Sequence, residues 1–145
     1  MINRNDIISA LRGSGLQQGM TVFSHSNIAF FGRVEGAESM DDLTRIMLDC
    51  FIEVLGPDGT LVLPTFTYSF GSDKEKKIFD LQNTLSKTSS IGNWLITSKI
   101  GSRSSDPMLS VTAIGGKSEA LTKKIDPVCF GTNSIWARLF AEDAL

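Results

Sequence analysis

Apolar residues recur at two kinds of spacing along this chain, and the two kinds alternate. In Asp6–Arg12, Ile7, Ile8 and Leu11 fall at helical intervals, and Gly13-Ser14-Gly15 ends the run. After Gly19 comes a short β-rich stretch, Met20-Thr21-Val22-Phe23, which gives way to the polar tetrad Ser24-His25-Ser26-Asn27 and a glycine-bearing loop from Gly32 to Gly36. The clearest pattern spans Met40 to Leu55. There Met40, Leu43, Met47, Cys50 and Val54 step by three or four residues and form one apolar face. Ser39 is a natural N-cap, Asp41 and Asp42 complement the positive end of the helix dipole, and Gly56-Pro57 stops the helix.

Beyond the Asp58-Gly59 turn, Thr60-Leu61-Val62-Leu63 is apolar nearly throughout. Such a strand is buried on both faces, as in a parallel sheet. Tyr68–Lys87 is irregular and carries the charge run Asp73–Lys77, read as a solvated surface. A helix is predicted from near Ser90 with Ile91, Leu95 and Ile100, then a strand over Leu109–Ile114. Ser118 is expected to cap a helix bearing Leu121 and Ile125, and Ser134 one bearing Ile135, Leu139 and Phe140. This alternation specifies an α/β fold: a three-layer-like sheet with flanking helices. The apolar Trp136, Leu139 and Phe140 near the end of the chain predict a face awaiting a missing neighbour, so the fold is expected to be incomplete and open to self-association.

Composition narrows the function. With 145 residues, 41% of them hydrophobic and 21% charged, the chain is long enough to bury a real core. Fourteen Lys and Arg against sixteen Asp and Glu give a net charge of −2, with no basic stretch, which argues against nucleic acid as a partner. The apolar runs are too short to span a membrane, and no signal core follows the polar start, so a cytoplasmic protein without membrane partners is expected. The one histidine, His25, and the two cysteines, Cys50 and Cys129, lack zinc-site spacing, and the carboxylates show no clustered ligand spacing. No metal is expected, and both thiols are read as reduced and buried. Gly115-Gly116-Lys117-Ser118 lacks the upstream glycine of a phosphate-binding loop, and neither Gly-x-Gly-x-x-Gly after a strand nor Gly-x-Ser-x-Gly occurs.

The remaining chemistry sits at strand ends, where ligands of α/β sheets bind. His25-Ser26-Asn27 leaves one strand, Thr65 and Thr67 leave the next, and Arg103-Ser104-Ser105-Asp106 precedes Ser110. Taken alone, His25 is more often a satisfied structural histidine than a catalyst, and the serines are ordinary turn or capping residues.

In order, the chain carries Gly19–Asn27, Gly56–Phe66, Phe79-Asp80 with Ser90-Ile91-Gly92, Arg103–Gly115, and Phe130-Gly131 with Ser134. Together these resemble the aminoglycoside 3-N-acetyltransferase family, whose loops read Gly-Asp-x-Val-x-Val-His-Ser-Ser, Gly-x-x-Gly-Thr-Leu-Val-Met-Pro-Thr-Phe, Arg-Ser-x-His-Pro-x-x-Ser-x-x-Ala-x-Gly and Phe-Gly-x-x-Ser. The resemblance covers residues 1–145 as a single N-terminal portion of such a domain. The family's later Thr-x-x-His-x-x-Glu-like segment, which supplies catalytic histidine and acid groups, has no counterpart here. Asn27 replaces the second serine of the first loop, and Asp106 replaces the histidine of the Arg-Ser-x-His-Pro motif.

The resemblance implies transfer of an acetyl group from acetyl-CoA to an amine of an amino sugar, either an aminoglycoside or a nucleotide-linked sugar. The Asp106 departure leans toward the second. It implies catalytic roles for His25 and Asp106. It places His25, Ser26, Asn27, Thr65, Arg103, Ser104 and Ser110 on the cofactor side, with Arg103, Ser104 and Ser110 holding the cofactor or its loop. Asp80, with Asp106, would face the cationic sugar. For both acids, turn chemistry is the competing reading. The alternative to an enzyme is an inactive, truncated CoA-binding or structural fragment, and an interaction module built on the Trp136–Phe140 face is a third possibility.

Overall fold

In a computed structural model, which describes residues 1–71 and 77–145, the chain forms a four-stranded sheet between two layers of helices. Charged residues 73–76 of the Asp73–Lys77 run lie outside the described residues. The elements are α1 (Arg4–Gly13), β1 (Thr21–Phe23), a 3-10 turn (Ile28–Phe30), α2 (Met40–Leu55), β2 (Thr60–Pro64), α3 (Ser90–Ser98), β3 (Ser102–Arg103), β4 (Val111–Gly115), α4 (Ser118–Thr122) and α5 (Ile135–Ala141).

The helix starts follow capping chemistry. Asn3 and Ser39 each accept from the third backbone N–H of their helix, while Asp6 and Asp42 reach back to the cap N–H, which makes two reciprocal capping boxes. The hydrogen bonds from Ser39 and Arg45 hold the Asp42 carboxyl below its ordinary value. Ser89 caps α3 and Ser134 caps α5 through their hydroxyls. Ser118, by contrast, is the first residue of α4, and Lys117 precedes it without a side-chain cap. Ile100 lies beyond α3 and is exposed, while Ile125 lies beyond α4 and is buried.

The strand order is β1-β2-β4-β3. β1 and β2 are parallel, Val22 opposite Leu61, with α2 as the crossover. β4 runs antiparallel to both β2 and β3. The sheet is therefore mixed rather than parallel. The apolar run of β2 does not depend on strand direction, because helices cover both of its faces. Leu61 and Leu63 join the core of α1, α2 and α3, and Val62 joins Val111, Ala113 and the residues of α4 and α5 on the other side. Each such side chain contributes about 1.5–3 kcal/mol through burial. Strand β3 has only two residues, too few for a periodic signal in the sequence.

The expected exposed face of α5 is corrected in part. Leu139 is buried, and Trp136 packs edge-on against Phe23 and Phe66, so Phe140 alone stands in solvent, at 90% exposure. Leu145 adds a rung to the outer edge of β1: its N–H donates to Thr21 O at 3.1 Å and its carbonyl accepts from Phe23 N at 2.7 Å. The two thiols are free, as expected, but only Cys50 is fully buried, and Cys129 is half-buried.

Candidate functional site

The topology gathers the polar strand ends on one edge of the sheet. β1 and β2 end there, at Phe23 and Pro64, and β4 begins there, because Pro64 pairs with Val111. β3 also ends there, with Arg103 opposite Thr112. The Gly115–Ser118 turn leaves the opposite end of β4, where Lys117 N bonds Thr60 Oγ1 and the Lys117 ammonium pairs with Glu142.

Behind this edge lies a closed polar network centred on Arg103. The side chain is 7% exposed. Its Nη1 donates to the carbonyls of Thr84 at 2.6 Å and Leu81 at 3.3 Å, and its Nη2 to Thr65 O at 2.9 Å and Ser110 Oγ at 3.2 Å. Nε adds a bond to Ser110 Oγ at 3.3 Å. Every nitrogen of the guanidinium thus has an internal partner. The Phe79 ring stacks on the guanidinium at 5.0 Å. Burial pulls the Arg103 pKa down to about 10, partly opposed by the charge of Asp80.

The other buried residues of the edge are engaged too. Ser110 Oγ donates to Thr65 O at 2.7 Å, Thr65 Oγ1 lies 3.3 Å from Ser110 Oγ, and Ser104 Oγ accepts from Val111 N at 2.9 Å. In this structure Thr65, Arg103, Ser104 and Ser110 therefore hold the loop, and their polar atoms bond within the chain. Gly92 of α3 lets the helix sit against β2 here: a Cβ at Gly92 would fall 2.8 Å from Pro64 O.

The two acids adopt turn chemistry. The exposed Asp80 accepts from Gln82 N and Asn83 N through Oδ1 and from Asn83 Nδ2 through Oδ2. The bond from the Asn83 side chain, followed by that from Gln82 N, holds its carboxyl below the ordinary value. Asp106 is fully buried. Its Oδ1 accepts from Met108 N at 2.8 Å and Leu109 N at 3.2 Å, and the Cys129 thiol lies 3.6 Å from the same oxygen. Burial, reinforced by the Asp106 charge, pushes the Cys129 thiol up. Asp106 Oδ2 is buried without a hydrogen-bond partner among the described residues.

The loop after β1 is open. His25 and Asn27 are exposed and Ser26 half-exposed. Ser24 N continues the ladder onto Val62 O at 2.9 Å, so the loop leaves the sheet in a fixed direction. Ser24 Oγ and Ser26 Oγ share a hydrogen bond of 2.6 Å, and Asn27 Oδ1 caps the 3-10 turn through Ala29 N. His25 lies edge-on to Phe66, ring centroids 6.1 Å apart. Phe66 also touches Tyr68, a residue the sequence patterns did not single out. A cleft of about 340 Å³ lies beside Arg103, lined also by Leu81, Leu95, Lys99, Gly101 and Lys123. Lys99 is bound to Gln82 O and Asn83 Oδ1 on its wall, and the cleft does not include the His25 loop.

The family model for aminoglycoside 3-N-acetyltransferase matches residues 23–145. The chain belongs to the aminoglycoside 3-N-acetyltransferase family. Solved structures share its fold. The YokD protein from Bacillus subtilis superimposes with a TM-score of 0.79 at 19% identity, over 95% of this chain and 60% of that one. AAC-IIIb, solved as a binary with CoASH, gives 0.76 at 22% identity over 94% and 55%. AAC-VIa bound to sisomicin gives 0.77 at 20% identity over 98% and 57%. The chain thus spans little more than half the length of these structures. No curated protein matches it. Among the described residues no helix is long and apolar enough to cross a membrane, and no group of His, Cys, Asp or Glu is placed to hold a metal ion.

Proposed function

We propose that the chain is the part of an N-acetyltransferase that takes acetyl-CoA as acyl donor and an amino sugar as acceptor. The observation that carries this reading is the family match over residues 23–145. The open polar loop His25-Ser26-Asn27 lies within that match, outside the carboxyl end of β1.

In the reaction the amine lone pair attacks the thioester carbonyl, a C–N bond forms, the C–S bond breaks, and the thiolate leaves. The proton lost by the amine needs an acceptor at that atom. His25 is the exposed imidazole at the open edge and takes this role. The Ser26 hydroxyl and Asn27 side-chain amide supply hydrogen bonds to the donor's acetyl and pantetheine end. Thr65, Arg103, Ser104 and Ser110 keep the neighbouring loops in register rather than meet the donor directly. Asp106 retains a role in the site through its unpaired Oδ2, and the exposed Asp80 faces the acceptor from the loop edge.

The family and the sisomicin-bound neighbour favour an aminoglycoside acceptor, and Asp106 in place of histidine favours a nucleotide-linked sugar. Thiol release from acetyl-CoA, measured with both acceptor sets, decides between them. A second reading rests on length. A chain spanning 52–60% of its structural neighbours is expected to bind without turnover if the reacting groups are shared with the remainder. Saturable acetyl-CoA binding with no thiol release on either acceptor would favour that reading.

A further inference from the structure

One backbone position, two residues beyond Phe66, carries a conformational cost. Tyr68 has φ +55°, a left-handed conformation that bulky residues rarely adopt and glycine adopts freely. The flanking chain enforces it. Thr67 Oγ1 donates to Pro107 O, Thr67 N and Tyr68 N donate to Met108 O at 3.1 and 3.3 Å, and Gly71 N donates to Tyr68 O at 3.0 Å. Such over-determined conformations concentrate at binding and catalytic sites. Here the conformation goes with a ring that is 40% exposed on the ligand edge of the sheet. The ring packs edge-on against Phe66 at 6.0 Å, and Phe66 in turn meets His25 at 6.1 Å.

We propose that Tyr68 is an acceptor-positioning residue, a platform for the ring of a cationic amino sugar beside His25. This inference rests on the reading of the reaction given above. An aromatic face carries partial negative charge, so it attracts an ammonium group and the slightly positive C–H face of a pyranose. The phenol adds a donor and acceptor for sugar hydroxyls. Phe66, itself buried, fixes the platform's position relative to the imidazole. Glycine would satisfy the backbone better and provide no platform.

Tyr68 is the only tyrosine of the chain, so full-chain protein grown with 3-fluorotyrosine gives a single fluorine resonance that reports on this ring. The expected result is a saturable shift of that resonance on titration with sisomicin or glucosamine, and none with glucose. Calorimetry with sisomicin should show binding weakened about threefold to tenfold in Tyr68→Gly and by less than about twofold in Tyr68→Phe, as for loss of a cation–π contact. Tyr68→Gly should at the same time melt no lower than the parent, which a packing residue would not do. Thiol release on the same sugars without any resonance shift would overturn the platform and leave the reaction standing. A resonance shift without thiol release would keep the platform and remove the reading of the reaction for this chain.

Discussion

The two halves of the polar sheet edge are built from the same residue types and do opposite things. On the β2–β4–β3 side, Arg103, Ser110 and Thr65 are buried and bonded to one another and to backbone carbonyls, and the buried Ser104 accepts from Val111 N. On the β1 side, His25, Ser26 and Asn27 leave the sheet through a single ladder bond and face solvent. A polar residue at a strand end is thus not a functional residue by position alone. Where the interior uses all its hydrogen-bonding capacity, it stabilises the fold. Where capacity remains, it is available to a ligand.

The sharpest way to break the contrast is to remove the closed half. Arg103→Ala leaves the Leu81 and Thr84 carbonyls without this donor and leaves Thr65 O with the Ser110 hydroxyl as its remaining side-chain donor. It should cost roughly 3 kcal/mol or more, since each buried group left unpaired costs about 1–3 kcal/mol. Arg103→Lys should recover little, because an ammonium cannot reproduce the fork. Denaturant melts measure both. A loss below about 1 kcal/mol in Arg103→Ala would show that the network is not the frame described here.

A smaller effect is expected on the open half. Ser26→Ala should leave the melting temperature unchanged and weaken acetyl-CoA binding by about twofold to tenfold, the loss of one neutral hydrogen bond of about 0.5–1.5 kcal/mol. Calorimetry on the two proteins reads it, and equal affinities would remove Ser26 from the site.

The smallest effect sharpens the boundary between the halves. Asp80 fixes the 80–84 turn whose carbonyls Arg103 grips, and the turn holds its carboxyl below the ordinary value of 3.8. Because the folded value is the lower one, its stabilisation is fully present above about pH 3.8 and is lost as pH falls through the folded value. Asp42, lowered by Ser39 and Arg45, acts in the same direction. Melting temperature should therefore fall with pH in the acid range, and Asp80→Asn should flatten that slope slightly. An unchanged slope would mean that the turn forms without the carboxylate.

Much of this was legible in the sequence, and the reasons are specific. The Met40–Leu55 helix, its Ser39 cap and the buried run of β2 follow from spacing and composition, which are local. The gathering of His25 and Thr65 at one edge followed from their places at the ends of expected strands, whereas Arg103 and Ser110 join them because β4 runs antiparallel to β2 and β3. The mixed sheet was not legible, since strand direction leaves no mark in a run buried on both faces. Nor was the division between closed and open halves. That Arg103 meets Thr84 and Thr65 across 19 and 38 residues is a tertiary fact no local pattern encodes. Tyr68 escaped for a similar reason, because nothing in Thr67-Tyr68-Ser69 announces a left-handed backbone at an aromatic residue.

The central claim is that the open half carries the chemistry and the closed half the frame. It is tested most directly by measuring acceptor-dependent thiol release from acetyl-CoA and the melting temperature together for the parent and His25→Ala. The expected result is a rate lowered about a hundredfold or more, within the 10²–10⁴ range of a lost general base, at a melting temperature changed by no more than about 2 °C. Equal rates in the two proteins, or a collapse of the fold in His25→Ala, would contradict it.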